Sequence, residues 1–149
     1  MRPDFTAAAR HCEAAWPREG VCAYLARTDG WDFVALPNVA DELHQRSPRD
    51  FPQSAATAFV IEPRAWMALE RRVLAMGAPG DEPHVWLAHS HVDVAAVLSA
   101  SDQQAFTVDG ASLLPGLGLA VFEVRAGRAG PPSLWRFTAT GWTPACSTV

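Results

Sequence analysis

The sequence is poor in cysteine, in net positive charge and in long apolar runs, and each shortage excludes a class of protein. The three cysteines, Cys12, Cys22 and Cys146, have no metal-ligand spacing, and their odd number suits a reducing compartment. A net charge of −4 argues against a nucleic-acid or anionic-membrane surface. No apolar run approaches the roughly 20 residues that cross a bilayer, and residues 1–16 carry charges where a signal peptide needs an apolar core. We therefore expect a cytoplasmic protein with no nucleic-acid or membrane partner.

The chain does have enough apolar sequence for a packed core. Hydrophobic residues make up 49% of it and charged residues 19%, which is typical of a globular rather than a disordered chain. A length of 149 residues fits one domain, so residues 1–149 are predicted to form a single folded unit.

The predicted elements interleave strands with helices. Helices are predicted from caps and helical spacing over 6–16, 63–76 and 99–107. Strands are predicted from short apolar runs between turns over 21–26, 31–36, 58–61, 85–89, 116–124 and 134–140. Residues 37–57 contain three prolines and no clear periodicity, so a functional or mobile loop is expected there. The pattern predicts an α/β or α+β fold with helices packed on a sheet.

The stretch with the most chemistry is His89-Ser90-His91, followed after seven residues by Ser99-x-x-Asp102. Side chains two residues apart on a strand share a face, so His89 and His91 can point their imidazoles at one place. The seven intervening residues allow the chain to turn back, and Asp102 then arrives from the first turn of a helix. Two histidines and one carboxylate suit zinc and leave a fourth tetrahedral position open for water, which is the composition of a catalytic site.

Asp102 also has a structural interpretation. Ser99-x-x-Asp102 is close to a capping box, with Ser99 as the N-cap. The two roles are compatible, because one carboxylate oxygen can ligate a metal while the other accepts a backbone N–H. Ser90 is expected to point to the opposite strand face in a structural role. The other histidines are scattered and are expected to be solvated: His11, His44 and His84.

The histidine, serine and aspartate pattern resembles the signature of the JAMM (JAB/MPN) metalloprotease family, and Pro17-Arg18-Glu19 is similar to the family's upstream glutamate element. The resemblance implies one zinc ion held by His89, His91 and Asp102, with a bound water as the fourth ligand. It implies Glu19 as the general base and Ser99 as the hydroxyl that stabilises the oxyanion. It also implies a central mixed β-sheet flanked by helices, with a layering similar to that of the cytidine deaminases.

By the same resemblance, the chain looks like a stand-alone prokaryotic member of the family. The implied activity is hydrolysis of the bond after the C-terminal glycine of a ubiquitin-like protein, in deconjugation or in precursor processing. E1/E2-like operon partners and a role in bacterial antiphage defence are also implied. Asn38 matches a position at the end of the second strand where the family often has asparagine, and the resemblance implies a turn role for it. Val92 and Ala23 stand where the family commonly has proline and glycine, which leaves the subfamily open.

Other functions remain open at this point. A non-catalytic scaffold or binding module of the same fold is one alternative, although such relatives usually lack the ligands that this chain has. A deaminase-like zinc hydrolase is another, against which the absence of a Pro-Cys-x-x-Cys element argues. Residues 37–57 are a candidate flap that contacts substrate, and an ordinary surface loop is an equal alternative.

Overall fold

The computed structural model describes residues 1–145, so Cys146 lies outside the described residues. The helices are α1 (Thr6–Ala15), α2 (Ala40–Arg46), α3 (Pro63–Ala75) and α4 (Ala100–Ala105). The strands are β1 (Val21–Arg27), β2 (Gly30–Leu36), β3 (Val85–Val92), β4 (Thr107–Val108), β5 (Ala111–Ser112), β6 (Leu117–Arg125), β7 (Arg128–Ala129), β8 (Ser133–Thr138) and β9 (Gly141–Pro144).

Seven of these strands form one sheet in the order β2-β1-β3-β6-β8-β9, with β7 paired to β6. β1 runs antiparallel to both β2 and β3, whereas β3 runs parallel to β6. β6 and β8 are antiparallel, as are β8 and β9. The prediction of a central mixed sheet flanked by helices is therefore confirmed.

The strand residues alternate between two cores, one on each face of the sheet. On β3, Leu87 packs in the core that includes residues of α3, and Trp86 packs in the core that includes residues of α1. Because both faces are covered, residues 85–90 of β3 are all buried, as expected for a central strand between two layers. The alternation sends His89 to the α3 face and Ser90 to the α1 face.

The two longest helices follow their predictions closely. α1 stops before Pro17, which cannot continue a helix. α3 begins at Pro63, where a missing N–H costs nothing. Glu62 caps it, since its carboxylate accepts hydrogen bonds from the backbone N–H groups of Arg64 and Ala65 at 3.1 and 2.8 Å. Among the described residues, no helix combines the length and apolar character needed to span a bilayer.

Two predictions between β2 and α3 are wrong. Residues 58–61 do not form a strand, because only Ile61 has a partner, in a single bridge to Asn38. Residues 37–57 are not without secondary structure, because they contain α2. Its short length gives little periodic signal, and its first N–H, that of Ala40, donates to the side chain of Asn38 outside the helix.

Strand boundaries near the C-terminal half also differ from the predictions. β3 continues to Val92, beyond the predicted strand end at His89, because β6 pairs with it along its whole length. The predicted strand over 134–140 ends at Thr138, and Gly141 starts a further strand that pairs back on β8.

Gly118 on β6 lies against the indole of Trp86 on β3. A Cβ at position 118 would be 2.7 Å from an indole carbon, far inside van der Waals contact. We expect Gly118→Ala to lower the free energy of unfolding by about 1–3 kcal/mol, because overpacking displaces a buried side chain. Urea denaturation measures this change. Gly80→Ala is the control, since nothing lies within 4 Å of a Cβ there, and equal stability of the two variants would contradict the prediction.

Candidate metal centre

β3 brings the two motif histidines to one face of the sheet. His89 is fully buried, and His91 is partly buried near the end of the strand. Their ring centroids are 5.2 Å apart. Ser90, between them, points to the other face, where its Oγ accepts a hydrogen bond from the Gly20 N–H at 2.8 Å. This contact agrees with the structural role expected for Ser90.

Asp102 reaches the histidines from the first turn of α4. Its Oδ2 atom lies 3.1 Å from His91 Nε2 and 3.3 Å from His89 Nε2. One candidate ligand atom from each residue can be chosen so that all three lie within 4.8 Å of one another. The fold thus brings together the three residues that the spacing of the motif singled out as metal ligands.

The capping box at the start of α4 is present as well. Ser99 Oγ accepts a hydrogen bond from the Asp102 N–H at 3.0 Å, and Asp102 Oδ2 accepts one from the Ser99 N–H at 3.1 Å. Oδ2 faces both the Ser99 N–H and the two histidines, so the cap and the metal-binding group share one carboxylate oxygen. The cap therefore fixes the oxygen that would bind a metal.

The three side chains shift one another's protonation equilibria. Burial lowers the pKa of the His89 imidazole, which favours the neutral ring. The hydrogen bond with Asp102 raises the pKa of His91. Burial opposes ionisation of Asp102, but its contacts with the two histidines outweigh burial and lower the pKa of the carboxyl below its usual range. A neutral imidazole and an ionised carboxylate are the forms that bind metals.

His89 shows most directly that the group suits a metal. Both of its ring nitrogens are buried without a hydrogen-bond partner, even though Nε2 approaches Asp102. A buried polar atom without a partner costs free energy, and a cation bound at one nitrogen would remove part of that cost. Two imidazoles and one carboxylate are the donor set of many catalytic zinc sites. The residues present therefore fit a divalent metal.

Glu19 lines a cavity that His91 and Asp102 also line. It lies two residues before the start of β1 and is 8% exposed. Burial raises the pKa of its carboxyl to about 7, with His91 opposing the rise and Asp102 adding to it. Glu19, His91, Ser99 and Asp102 all line one cavity of about 480 Å³. A carboxyl with a pKa near neutrality can take up and release protons at physiological pH.

Comparison with known proteins places the chain in a family. The family described as prokaryotic homologs of the JAB domain matches residues 1–138. The chain belongs to this family. Its members include metalloproteases, and no curated protein matches the chain.

One solved structure agrees with this JAB-domain assignment at the level of the fold. A protein from Desulfitobacterium hafniense, known from a solution structure, has a TM-score of 0.54 and 17% identity over 93% of this chain and 83% of that chain. A protein from Salinibacter ruber, also studied in solution, has a TM-score of 0.49 and 21% identity over 97% of this chain and 87% of that chain.

One wall of the cavity in this JAB-domain protein comes from residues that sequence reasoning missed. Gln53, Thr57 and Phe59 all line it. The Phe59 ring lies 4.9 Å from the ring of His89 and 6.0 Å from that of Phe106, so it covers the buried ligand. No signal in the sequence could have found Phe59, because an aromatic residue in a segment without periodicity does not reveal its partner.

The remaining histidines lie outside the site, and the expectation that they are simply solvated is wrong. Each is partly buried and has one ring nitrogen within hydrogen-bonding distance of a backbone carbonyl. The pairs are His11 with Val21 O at 2.9 Å, His44 with Phe51 O at 2.7 Å and His84 with Pro115 O at 2.9 Å. They tie loops and helices to neighbouring segments and contribute no candidate ligand.

Proposed function

We propose that this JAB-domain protein is a zinc-dependent peptidase or isopeptidase that hydrolyses the bond after the C-terminal glycine of a ubiquitin-like protein. The observation that carries the proposal is that the Glu19 carboxyl opens on the same cavity as His91 and Asp102 of the metal-binding group. A purely structural scaffold has no use for a buried acid at this place, and burying one without an ion-pair partner costs free energy.

Metal binding and proton transfer are assigned to different residues of the site. His89, His91 and Asp102 would hold the metal. When bound, zinc polarises a carbonyl and lowers the pKa of water toward 7. Glu19 accepts a proton from the attacking water and returns it to the leaving amine. Burial raises the pKa of its carboxyl above the usual range, the direction that lets a carboxylate hold and return a proton near neutral pH.

Ser99 supplies a hydrogen-bond donor to the reacting carbonyl. Its oxygen accepts the Asp102 N–H in the capping box, so the hydroxyl hydrogen remains available to donate. A donor on this wall of the cavity stabilises the negative charge that develops on the substrate's carbonyl oxygen. The capping box holds that hydroxyl beside the metal-binding group.

Small side chains on the cavity wall favour a substrate with a narrow, extended backbone. Ala56 and Ala58 line one wall, and their small side chains leave room for a peptide backbone that ends in glycine. Gln53 and Thr57 lie on the same wall. Their position supports the hypothesis that residues 37–57 contact the substrate tail.

The test uses a ubiquitin-like protein whose C-terminal glycine carries a fluorescent amine. We expect the zinc-loaded protein to release the amine, the chelator-treated protein not to release it, and added zinc to restore release. Zinc content is measured on the same samples by mass spectrometry. A folded protein that binds no stoichiometric zinc, or that binds zinc and leaves the adduct intact, would favour the non-catalytic scaffold instead.

A further inference from the structure

Asn38 stands next to Glu19 across the sheet. Val21 at the start of β1 pairs with Leu36 on one side and with His89 on the other. Continuing both registers by two residues before Val21 places Glu19 between Asn38 and His91. The regular ladder of β2 has ended at Leu36, so Asn38 meets Glu19 with its side chain rather than its backbone.

The side-chain amide of Asn38 uses every hydrogen bond that an asparagine can make. Nδ2 donates to Glu19 O at 2.9 Å and to Ala58 O at 3.2 Å. Oδ1 accepts from the N–H groups of Ala40 and Val60, each at 3.0 Å. One amide therefore joins the Glu19 peptide, the start of α2 and the segment on both sides of Phe59. A simple turn role does not require this set of partners.

Glu19 depends on its backbone for its position. Within residues 1–145, no hydrogen bond to its carboxylate is found, and the shift in its pKa has burial and nearby charges as its causes. Its N–H donates to Ala55 O at 2.6 Å, and its carbonyl accepts from Asn38. The next N–H, of Gly20, donates to Ser90 Oγ at 2.8 Å. These three bonds fix the backbone from which the Glu19 carboxylate enters the cavity.

The same amide also places the aromatic cover of the metal-binding group. Its bonds to Ala58 O and Val60 N bracket Phe59, whose ring lies 4.9 Å from that of His89. A shift of this segment would move both the ring over the buried ligand and the Glu19 peptide. The acid and the cover are thus fixed to each other through one side chain.

We propose that Asn38 is a positioning residue of the hydrolytic site, which sets the place of Glu19 and Phe59 relative to His89 and His91 through its side-chain amide. The catalytic part of this inference rests on the proposed function. The positional part does not, because it concerns hydrogen bonds that exist without turnover.

The sharpest variant is Asn38→Asp. Aspartate has the same shape and keeps an acceptor for Ala40 and Val60, but it loses both donors and sets an oxygen against the carbonyls of Glu19 and Ala58. We expect kcat to fall by about 100-fold, the size of effect that a misplacement near 1 Å produces, with KM and zinc stoichiometry unchanged. Rates are referred to the zinc-loaded, folded fraction, so that loss of folded protein does not count as loss of kcat.

Glu62→Ala is the matched control. It also removes two hydrogen bonds to backbone groups in the adjoining segment, those donated by Arg64 and Ala65, but it does not contact Glu19. Its kcat should equal that of the wild-type protein. If Glu62→Ala lowers kcat as much as Asn38→Asp does, the effect reflects general loosening and the proposal is wrong.

Amide hydrogen exchange gives a readout that needs no substrate. In zinc-loaded Asn38→Asp, the Glu19 and Gly20 amides should exchange about tenfold faster, as expected for one lost hydrogen bond, while the Ala40 amide keeps its wild-type rate.

Unchanged exchange at Glu19 would overturn the positional part. If the wild-type protein fails to release the fluorescent amine, the proposed function fails, and exchange still decides the positional part. Wild-type kcat in Asn38→Asp together with faster exchange would overturn the catalytic part alone.

Discussion

Replacing Glu19 by glutamine is expected to slow hydrolysis by about 10²–10⁴-fold, the usual contribution of a general acid–base group, while zinc binding is retained. Glutamine has nearly the same size and fits the buried position, but its neutral amide cannot accept a proton from water. Single-turnover release of the fluorescent amine measures the rate, and mass spectrometry measures zinc in the same sample.

Glu42→Gln provides the matched control for this variant. It makes the same chemical change at an exposed position of α2, so its rate should equal that of the wild-type protein. A Glu19→Gln protein as fast as the wild type would remove Glu19 from the mechanism. Loss of zinc from that variant would instead place its carboxylate among the metal ligands.

The metal-binding group could be predicted because its geometry is mostly local. The two-residue period of a strand puts His89 and His91 on one face, and Asp102 lies in the first turn of a helix. Both placements follow from local secondary structure. The position of Glu19 is different. Nothing around it in sequence indicates a site, and only the resemblance to a family connected it to residues 70 or more positions away. The antiparallel pairing of β1 with β3 explains that connection physically.

The segment between β2 and α3 could not be predicted because tertiary contacts determine it. α2 spans Ala40–Arg46, too short for a periodic signal. It is held in place by the Ala40 N–H, which donates to Asn38 Oδ1, and by the Ala55 N–H, which donates to Asp41 Oδ1. Residues 58–61 have the composition of a strand but only one bridge partner. They serve instead as a wall that carries Phe59 over His89. Apolar composition alone does not distinguish these two outcomes.

Saturating the protein with zinc at 100 times Kd is expected to raise the free energy of unfolding by about 2.7 kcal/mol, because only the folded chain brings the three ligands together. For a domain of this size, that corresponds to a rise of about 5–11 °C in Tm. Asp102→Asn should remove most of this rise, because the amide lacks the negative charge, although its oxygen can still accept the Ser99 N–H. Differential scanning calorimetry with chelator and with zinc measures both effects.

Ser99→Ala completes the comparison, because it removes the other half of the capping box. It should lower stability by about 1 kcal/mol, as loss of an N-cap does, and it should keep the rise in Tm on zinc addition. The exposed variant Asp81→Asn controls for a simple change of charge and should behave like the wild-type protein. The two substitutions at the start of α4 therefore separate the two tasks of Asp102 Oδ2. If Asp102→Asn responds to zinc as strongly as the wild type, Asp102 is a helix cap only, and the assignment of this cluster as a metal centre fails.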